Sequence, residues 1–269
     1  MQTPATSAAR PIRLVQITDC HLGSDIEYRL AGVRCHYSLG EVLARIAAEG
    51  EAVDQLMVTG DIAAQGVAPA YQLFSQKMRA LGLPYGWVPG NHDDFALMEH
   101  HSQLPAFAPL IAVGPWRLLC LSTAVAGAVG GYIDRHQLAA LEATLEGLGD
   151  HPAAIFMHHP PTAIGCRWLD RQQVANGDEL AAILRRYPLV RAIFTGHVHQ
   201  ASRGEFAGVP LYTTPSTCFQ FAAGSDDFAL ALEPPAYRWI ELYPDGRHAT
   251  GIIAITDTEE QVDIATAGY

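Results

Sequence analysis

Residues 12–21 read Ile-Arg-Leu-Val-Gln-Ile-Thr-Asp-Cys-His, an apolar run that ends on Asp19 and His21. Four other short apolar runs also end on residue types that bind metal ions. They are residues 55–59 before Gly60-Asp61, 85–89 before Gly90-Asn91, 153–157 before His158, and 191–195 before Gly196-His197. Helical patterns separate these runs, which is typical of a layered α/β domain with largely parallel strands. Because such sheets bind ligands beyond the carboxyl ends of their strands, we expect all five endings to face one crevice.

Three of the polar endings follow a glycine, at Gly60, Gly90 and Gly196. A residue without Cβ allows a sharp turn and a close approach of the chain to an ion. A single glycine after a strand is common in ordinary turns. Three glycines, each followed by a possible ligand, favour a shared metal-binding role.

Helix boundaries are marked by capping residues. Ser38 and Asp134 are each followed three residues later by Glu or Gln, which is the spacing of a capping box. Asn176 is a third predicted N-cap. Gly82 is the predicted end of a helix that begins near Pro69.

The composition describes a globular chain of 269 residues, 49% of them hydrophobic and 17% charged. A chain of this length can bury one large core, so we expect one main domain. The formal net charge is 17 minus 28, or -11, and Lys77 is the single lysine. Nucleic-acid binding needs a basic surface, so no nucleic-acid partner is expected.

The five cysteines are odd in number and contain no Cys-x-x-Cys pair, which argues against a disulfide framework or a thiolate zinc site. We therefore expect a reducing, cytoplasmic location. No run of about 18 apolar residues is present, so no membrane span is expected. Cys20 separates two candidate ligands and is predicted to pack beneath the site, because neighbouring residues of an extended chain point to opposite sides.

After about Ser202 the pattern changes to shorter alternating segments joined by Pro, Gly and Asp turns. This pattern indicates antiparallel strands. We expect residues 1–201 to form the core of a single domain. Residues 202–269 are expected to add strands that complete a second sheet and to contribute to a homo-oligomer, a dimer or larger.

The polar endings supply carboxylate, imidazole and amide groups but no thiolate. This mixture favours Mn, Fe, Zn or Co over Mg²⁺ or Ca²⁺, which prefer oxygen ligands alone. Eight groups exceed the needs of one four-coordinate ion, so we expect two metal ions. Two ions about 4 Å apart suit the hydrolysis of phosphate esters. The eight groups are Asp19, His21, Asp61, Asn91, His92, His158, His197 and His199.

The order of these motifs resembles that of the calcineurin-like binuclear metallophosphoesterases. The matching motifs are Asp19-Cys20-His21, Gly60-Asp61, Gly90-Asn91-His92-Asp93, His158 and Gly196-His197-Val198-His199. Met157-His158-His159-Pro160-Pro161 and Ser216-Thr217-Cys218-Phe219-Gln220 further resemble bacterial class III cyclic-nucleotide phosphodiesterases and their glycerophosphodiesterase relatives. The resemblance implies an α-β-β-α sandwich of two mixed sheets flanked by helices, with a small antiparallel C-terminal extension.

The same resemblance implies roles for individual residues. Asp19, His21, Asp61 and His199 would hold the first metal ion, and Asp61, Asn91, His158 and His197 the second. The bridging Asp61 would thus serve both ions. A hydroxide on the metals would be the nucleophile, and His92 would protonate or electrostatically assist the departing alkoxide. Asp93 is expected to orient His92 or other groups around the site.

His159 competes with His158 for the ligand role. We favour His158 because it directly follows the apolar run, whereas the prolines after His159 fix the loop. Loss of metal from a His159→Ala variant, but not from a His158→Ala variant, would reverse this choice.

The leading functional hypothesis is a metal-dependent phosphodiesterase of small molecules, with cyclic AMP first. A glycerophosphodiesterase or a broad-specificity phosphodiesterase is the alternative. A binding module without catalysis is a further hypothesis, but no expected ligand is missing. A repair nuclease on this fold would need a basic surface that the sequence lacks.

Overall fold

The structure is a computed structural model that describes residues 10–50, 52–101 and 103–268. Residues 1–9 and 269, at the outer ends of the two predicted segments, lie outside the described residues, as do residues 51 and 102. The helices are α1 (Cys35–Ala48), α2 (Ala68–Leu81), α3 (Phe95–His101), α4 (Arg135–Glu146), α5 (Arg167–Asp170) and α6 (Gly177–Leu184). The strands are β1 (Ile12–Ile17), β2 (Arg29–Leu30), β3 (Val33–Arg34), β4 (Gln55–Thr59), β5 (Tyr85–Val88), β6 (Leu110–Val113), β7 (Trp116–Leu121), β8 (Ala153–Met157), β9 (Val190–Thr195), β10 (Ser202–Phe206), β11 (Val209–Thr213), β12 (Gln220–Phe221), β13 (Leu230–Ala231), β14 (Ala236–Leu242) and β15 (His248–Ala254).

Two mixed sheets pack face to face. The first has the order β15-β14-β1-β4-β5, and the second has the order β10-β11-β9-β8-β7-β6. Strands β1, β4 and β5 are parallel to one another, as are β7, β8, β9 and β11. The remaining pairs in the two sheets are antiparallel. The predicted sandwich of two mixed sheets is therefore confirmed.

The central strands are largely apolar because both faces of each sheet are buried. Phe156 and Phe194 stack in the layer between the sheets, with ring centroids 5.1 Å apart. Their neighbours Ile155 and Ile193 point to the opposite face and pack against α4 and α6. Helices α1 and α2 cover the outer face of the first sheet in the same way. The layers are thus α-β-β-α.

The capping signals have different outcomes. Asp134 accepts a hydrogen bond from the backbone of His136, and Gly82 ends α2 with a φ of 71°, as predicted. Ser38 is not an N-cap, because α1 begins at Cys35 and the Ser38 hydroxyl donates to the Thr217 carbonyl. Asn176 precedes α6 but makes no capping hydrogen bond. Its amide is used to bind the backbone of residue 133 instead.

The C-terminal strands contribute to both sheets. Strands β10 and β11 join the second sheet, whereas β14 and β15 extend the first. Residues 202–269 thus add strands to the second sheet and also to the first. Strand β14 pairs with β1 in a register that places Ile240 opposite Leu14. Both side chains fill the apolar layer between the sheets, so β14 is part of the core.

No helix within the described ranges has the length and apolar character needed to cross a membrane.

Candidate metal centre

Strand ends from both sheets meet at one site, as the sequence predicts. Strands β1, β4 and β5 of the first sheet and β8 and β9 of the second lead directly into the predicted ligands. In four overlapping groups, the potential ligand atoms lie within 4.8 Å of one another. These groups are Asp19-His21-His199, Asp19-Asp61-His158, His21-Asp61-His92 and His158-His159-His197.

Five of the predicted ligands have a backbone conformation that ordinary residues rarely adopt. The φ angles are 53° at Asp19, 46° at His21, 49° at Asp61, 68° at His197 and 47° at His199. Asp19 and His21 therefore do not continue the extended chain that the prediction for Cys20 assumes. The turn itself directs them to the site. Left-handed residues outside glycine are costly and cluster at functional sites.

The three glycines before the ligands leave room for side chains of the site. A Cβ on Gly90 would lie 2.1 Å from Asp61 Oδ1, and a Cβ on Gly196 would lie 2.8 Å from Asp19 Oδ2. A Cβ on Gly60 would lie 2.4 Å from His158 Nδ1. Gly60 also has a φ of 91°. The close approach predicted from the sequence is thus between backbone and ligand side chains.

The Gly90→Ala variant should lose metal affinity and activity by about 10-fold or more, because Cβ must displace the Asp61 carboxylate. The Gly147→Ala variant is the matched control, since its Cβ would lie 3.6 Å from its nearest neighbour. Metal content and turnover of both purified proteins, with circular dichroism to verify folding, check the prediction. A folded Gly90→Ala protein with normal metal content would contradict it.

Backbone carbonyls set the orientation of three histidine rings. In His158, Nδ1 lies 2.7 Å from the Thr59 carbonyl. In His199, Nδ1 lies 2.7 Å from the Phe219 carbonyl. A carbonyl can only accept, so Nδ1 carries the proton in both rings and Nε2 faces the site. This is the usual arrangement of metal-binding histidines. His92 has the same arrangement, with Nδ1 3.0 Å from the Ala64 carbonyl.

The first half of the site surrounds His199 Nε2. This atom lies 3.3 Å from Asp19 Oδ1 and 3.1 Å from His21 Nε2. All three side chains are fully or almost fully buried. The backbone N–H of His197 donates to Asp19 Oδ2 at 3.0 Å, which holds the carboxylate in place.

The second half of the site surrounds His158 Nε2. This atom lies 3.3 Å from Asp61 Oδ2 and 3.2 Å from Asn91 Oδ1. Asp61 Oδ1 accepts a hydrogen bond of 2.9 Å from the backbone of His92. Asp61 is grouped with His21 and His92, and also with Asp19 and His158. It therefore lies between the two halves of the site.

The site residues fit a cation. Burial by itself would lower the pKa of His158, but the Asp61 carboxylate raises this pKa to about 9. The position between the His158 ring and the Asp61 carboxylate therefore attracts positive charge. His197 Nε2 is buried and has no hydrogen-bond partner among the described residues. Burial and the neighbouring His159 lower the pKa of His197, which leaves a neutral ring with an unused ligand atom.

Comparison with known proteins agrees with this geometry. The calcineurin-like phosphoesterase family matches residues 12–201, a range that includes every predicted ligand. The chain is also 36% identical over 268 residues to a 3′,5′-cyclic adenosine monophosphate phosphodiesterase of Pseudomonas aeruginosa. This match covers 99% of the chain and 98% of the relative. The chain belongs to the calcineurin-like phosphoesterase family. It is thus a hydrolase of phosphate esters, and its family uses a binuclear metal centre.

Another relative supports the membership, and two solved structures share the fold. A phosphodiesterase of Escherichia coli K12 with the same description is 34% identical, over 99% of the chain and 98% of its own length. A dimetal phosphatase of Danio rerio has the same fold, with a TM-score of 0.59 and 17% identity over 90% of this chain and 98% of that one. A purple acid phosphatase of yellow lupin has a TM-score of 0.61 and 12% identity. That match covers 94% of this chain and 55% of the phosphatase.

His159 lies beside the predicted ligands of this family, but both of its ring nitrogens are engaged. Nε2 lies 3.0 Å from the Val129 carbonyl, and Nδ1 lies 2.8 Å from the Thr123 hydroxyl. Nε2 must therefore donate and Nδ1 must accept. Burial lowers the pKa of His159 to about 3, so the ring is neutral. This geometry favours His158 as the ligand.

The two neighbouring histidines should respond differently to alanine. His158→Ala should lose about half of the bound metal, because its Nε2 is aimed into the site. His159→Ala should keep its metal but lose about 2–4 kcal/mol of unfolding free energy, since two buried hydrogen bonds disappear. Elemental analysis and denaturant unfolding measure both effects. Metal loss from the His159→Ala protein alone would show that the assignment is reversed.

Asp93 binds backbone and hydroxyl groups around the site, which is one of the two roles considered for it. Its carboxylate accepts hydrogen bonds from the backbone of Gly90 at 2.9 Å and Ala63 at 3.0 Å, and from the Tyr71 hydroxyl at 3.2 Å. It therefore ties together the loops that follow β4 and β5. The ring of His92 is oriented by the Ala64 carbonyl instead. Sequence spacing cannot show this, because a backbone carbonyl has no sequence signature.

Proposed function

We propose that the chain hydrolyses 3′,5′-cyclic nucleotides, with cyclic AMP as the preferred substrate. The main support is the convergence of buried carboxylates and imidazoles from both sheets on one site. The relatives named as cyclic AMP phosphodiesterases match 99% of the chain, so the similarity is not limited to the metal-binding motifs. A cyclic-nucleotide phosphodiesterase of Nostoc is also 34% identical over 90% of the chain.

The proposed centre holds two ions of Mn, Fe, Zn or Co, because mixed oxygen and nitrogen ligands suit these metals. Such ions, when bound, stabilise negative charge on a phosphoryl group and lower the pKa of water. Asp61 is proposed to bridge the ions, since it lies between the two halves of the site. Asp19, His21, Asp61 and His199 are proposed for one ion, and Asp61, Asn91, His158 and His197 for the other.

His92 is proposed as the group that assists the leaving oxygen. It lines the same cavity as Asp61 and Asn91 but is only half-buried, unlike the fully buried histidines of the site. The Ala64 carbonyl accepts the Nδ1 proton, so Nε2 is the atom proposed to face the substrate. A proton on Nε2 can be donated to the 3′ oxygen as its bond to phosphorus breaks.

A substrate comparison tests the proposed function. Protein stripped with a chelator and reloaded with Mn²⁺ is assayed on cyclic AMP, cyclic GMP, 2′,3′-cyclic AMP, glycerophosphodiesters and bis-p-nitrophenyl phosphate. We expect the highest kcat/KM on cyclic AMP and no turnover before reloading. A higher kcat/KM on glycerophosphodiesters would favour the alternative activity, and inactivity on every diester would refute a phosphodiesterase.

We also propose a homodimer or larger assembly. Strand β10 pairs only with β11 among the described residues, so its other edge is available for contact. Leu232 is 74% exposed in the same C-terminal segment, which favours a contact surface there. Sedimentation velocity should give at least twice the chain mass of 29.0 kDa, and a species of 29.0 kDa alone would refute the assembly.

A cytoplasmic location is proposed from the state of the cysteines. All five are free and buried. The sulfur atoms of Cys35 and Cys218 are only 3.2 Å apart, so an oxidising compartment would promote a disulfide between them. When the protein is denatured and its thiols are titrated, five thiols should therefore be detected. A count of three thiols would contradict this location.

A further inference from the structure

A cavity of about 250 Å³ adjoins the candidate metal centre. Its lining includes Asp61 and His92 of the centre and three aromatic residues, Trp168, Phe221 and Phe228. A ligand whose phosphate lies at the metal centre would thus extend toward the aromatic side chains. These aromatic residues are not among the predicted metal ligands, so coordination of the ions does not account for their presence in the lining.

The aromatic wall, consisting of Trp168, Phe221 and Phe228, is built onto the metal centre. Phe221 stacks on the predicted ligand His199, with ring centroids 4.2 Å apart and an interplanar angle of 21°. Trp168 meets Phe221 at 4.9 Å and 82°. Phe228 completes the cluster at 5.5 Å from Trp168 and 5.7 Å from Phe221. The edge-on packing fixes the rings relative to the metal ligand.

Two separate segments supply the outer part of the wall. Trp168 lies in α5, and Phe228 lies in the loop between β12 and β13. A hydrogen bond of 3.1 Å from the Arg167 backbone to the Ser225 carbonyl joins the two segments. Trp168 is half-buried and lines the cavity, so part of the ring can contact a ligand.

Gln172 adds a polar group to the same cavity. It follows Trp168 by four positions, and its backbone N–H donates to the Leu169 carbonyl at 2.8 Å, which continues the helical turn. Residues four apart on such a turn lie on the same side. The Gln172 side-chain amide makes no hydrogen bond with any residue that the structure describes. It therefore has both a donor and an acceptor available for a ligand.

We propose that this cavity binds the base of the nucleotide, with the aromatic wall in contact with the purine and Gln172 hydrogen-bonded to its edge. This inference rests on the proposed function. Aromatic side chains bind bases through stacking. A glutamine amide matches adenine, which offers a donor at N6 and an acceptor at N7, whereas guanine offers two acceptors at the same edge. Gln172 therefore favours adenine over guanine.

Substitution of Trp168 tests the stacking contact. Trp168→Ala should raise KM for cyclic AMP about 10-fold and leave kcat nearly unchanged, whereas Trp168→Phe should retain most of the affinity. Ribose 3′,5′-cyclic phosphate, which has no base, is the control substrate, and its KM should be the same for all three proteins. Equal changes on both substrates, or no change on cyclic AMP, would overturn the proposal.

Substitution of Gln172 tests recognition of the base edge. Gln172→Ala should lower the ratio of kcat/KM for cyclic AMP to that for cyclic GMP by about 10-fold, with no change on the base-free substrate. An unchanged ratio would remove Gln172 from the proposal. Metal content should stay equal to that of the wild type in every variant, which separates base binding from damage to the metal centre.

A binding measurement separates this inference from the proposed function. Wild-type protein should bind 5′-AMP more tightly than ribose 5-phosphate, and only 5′-AMP should quench the fluorescence of Trp168. The Trp168→Phe variant should lose this quenching but keep its preference for 5′-AMP. Failure to hydrolyse cyclic AMP with these binding results intact would refute the substrate alone. Equal binding of the two monophosphates would refute the base site alone.

Discussion

The Asp61→Asn variant should lose essentially all turnover and bind less than one metal ion per chain. Asp61 is almost fully buried and lies between the two groups of potential ligands. The substitution preserves the shape of the side chain but removes the charge and one acceptor. Loss of a ligand shared by two ions should lower kcat by about 10³-fold or more. Elemental analysis and steady-state kinetics on cyclic AMP provide the measurements.

Asp134→Asn is the matched control for this variant. Asp134 is exposed and caps α4 through its side chain, a role that asparagine fills equally well. The control should therefore keep wild-type metal content and activity. An Asp61→Asn protein with two bound ions and more than about one tenth of the wild-type kcat would contradict a bridging role.

The His92→Ala variant should retain its metal and lose about 10²–10⁴-fold in kcat, which is the usual contribution of a general acid. Its ring is oriented by the Ala64 carbonyl and lines the cavity. The backbone N–H of His92, which donates to Asp61, is kept in the variant. The bridging carboxylate should thus stay in place while the chemical step slows.

Two controls separate the proposed role of His92 from an indirect effect. His136→Ala removes an exposed histidine at the start of α4 and should be fully active. A substrate with a good leaving group, such as bis-p-nitrophenyl phosphate, should be affected much less by His92→Ala than cyclic AMP, because p-nitrophenolate needs no proton. A metal-free His92→Ala protein would instead place His92 among the ligands.

The sequence predicts where the side chains of the site lie along the chain because burial on both faces leaves a plain signal. A strand between two covered faces is largely apolar, so the change from an apolar run to polar residues marks its end. Asp19, Asp61 and His158 stand at such ends, and the parallel strands bring them to one edge. The α-β-β-α layers were expected from the resemblance of the motifs.

Several features could not be found in this way. The left-handed backbone at Asp19 and His197 depends on turns that no residue type marks, since neither residue is glycine. The engagement of His159 by Val129 depends on a loop about thirty residues away. The placement of β14 beside β1 joins residues more than 200 positions apart. Such pairings have no local periodicity to reveal them.

By itself, the sequence determined which residues end the buried strands, and hence the set of carboxylates and imidazoles at the proposed centre. Only the tertiary structure decided which ring nitrogens face the site, that His159 is already engaged, and that Trp168 and Gln172 line a cavity beside it. The physical reason is the separation along the chain of the residues that each effect involves. Burial imposes a repeating pattern on neighbouring residues, whereas a hydrogen bond to a distant carbonyl or the shape of a cavity depends on how separate segments pack.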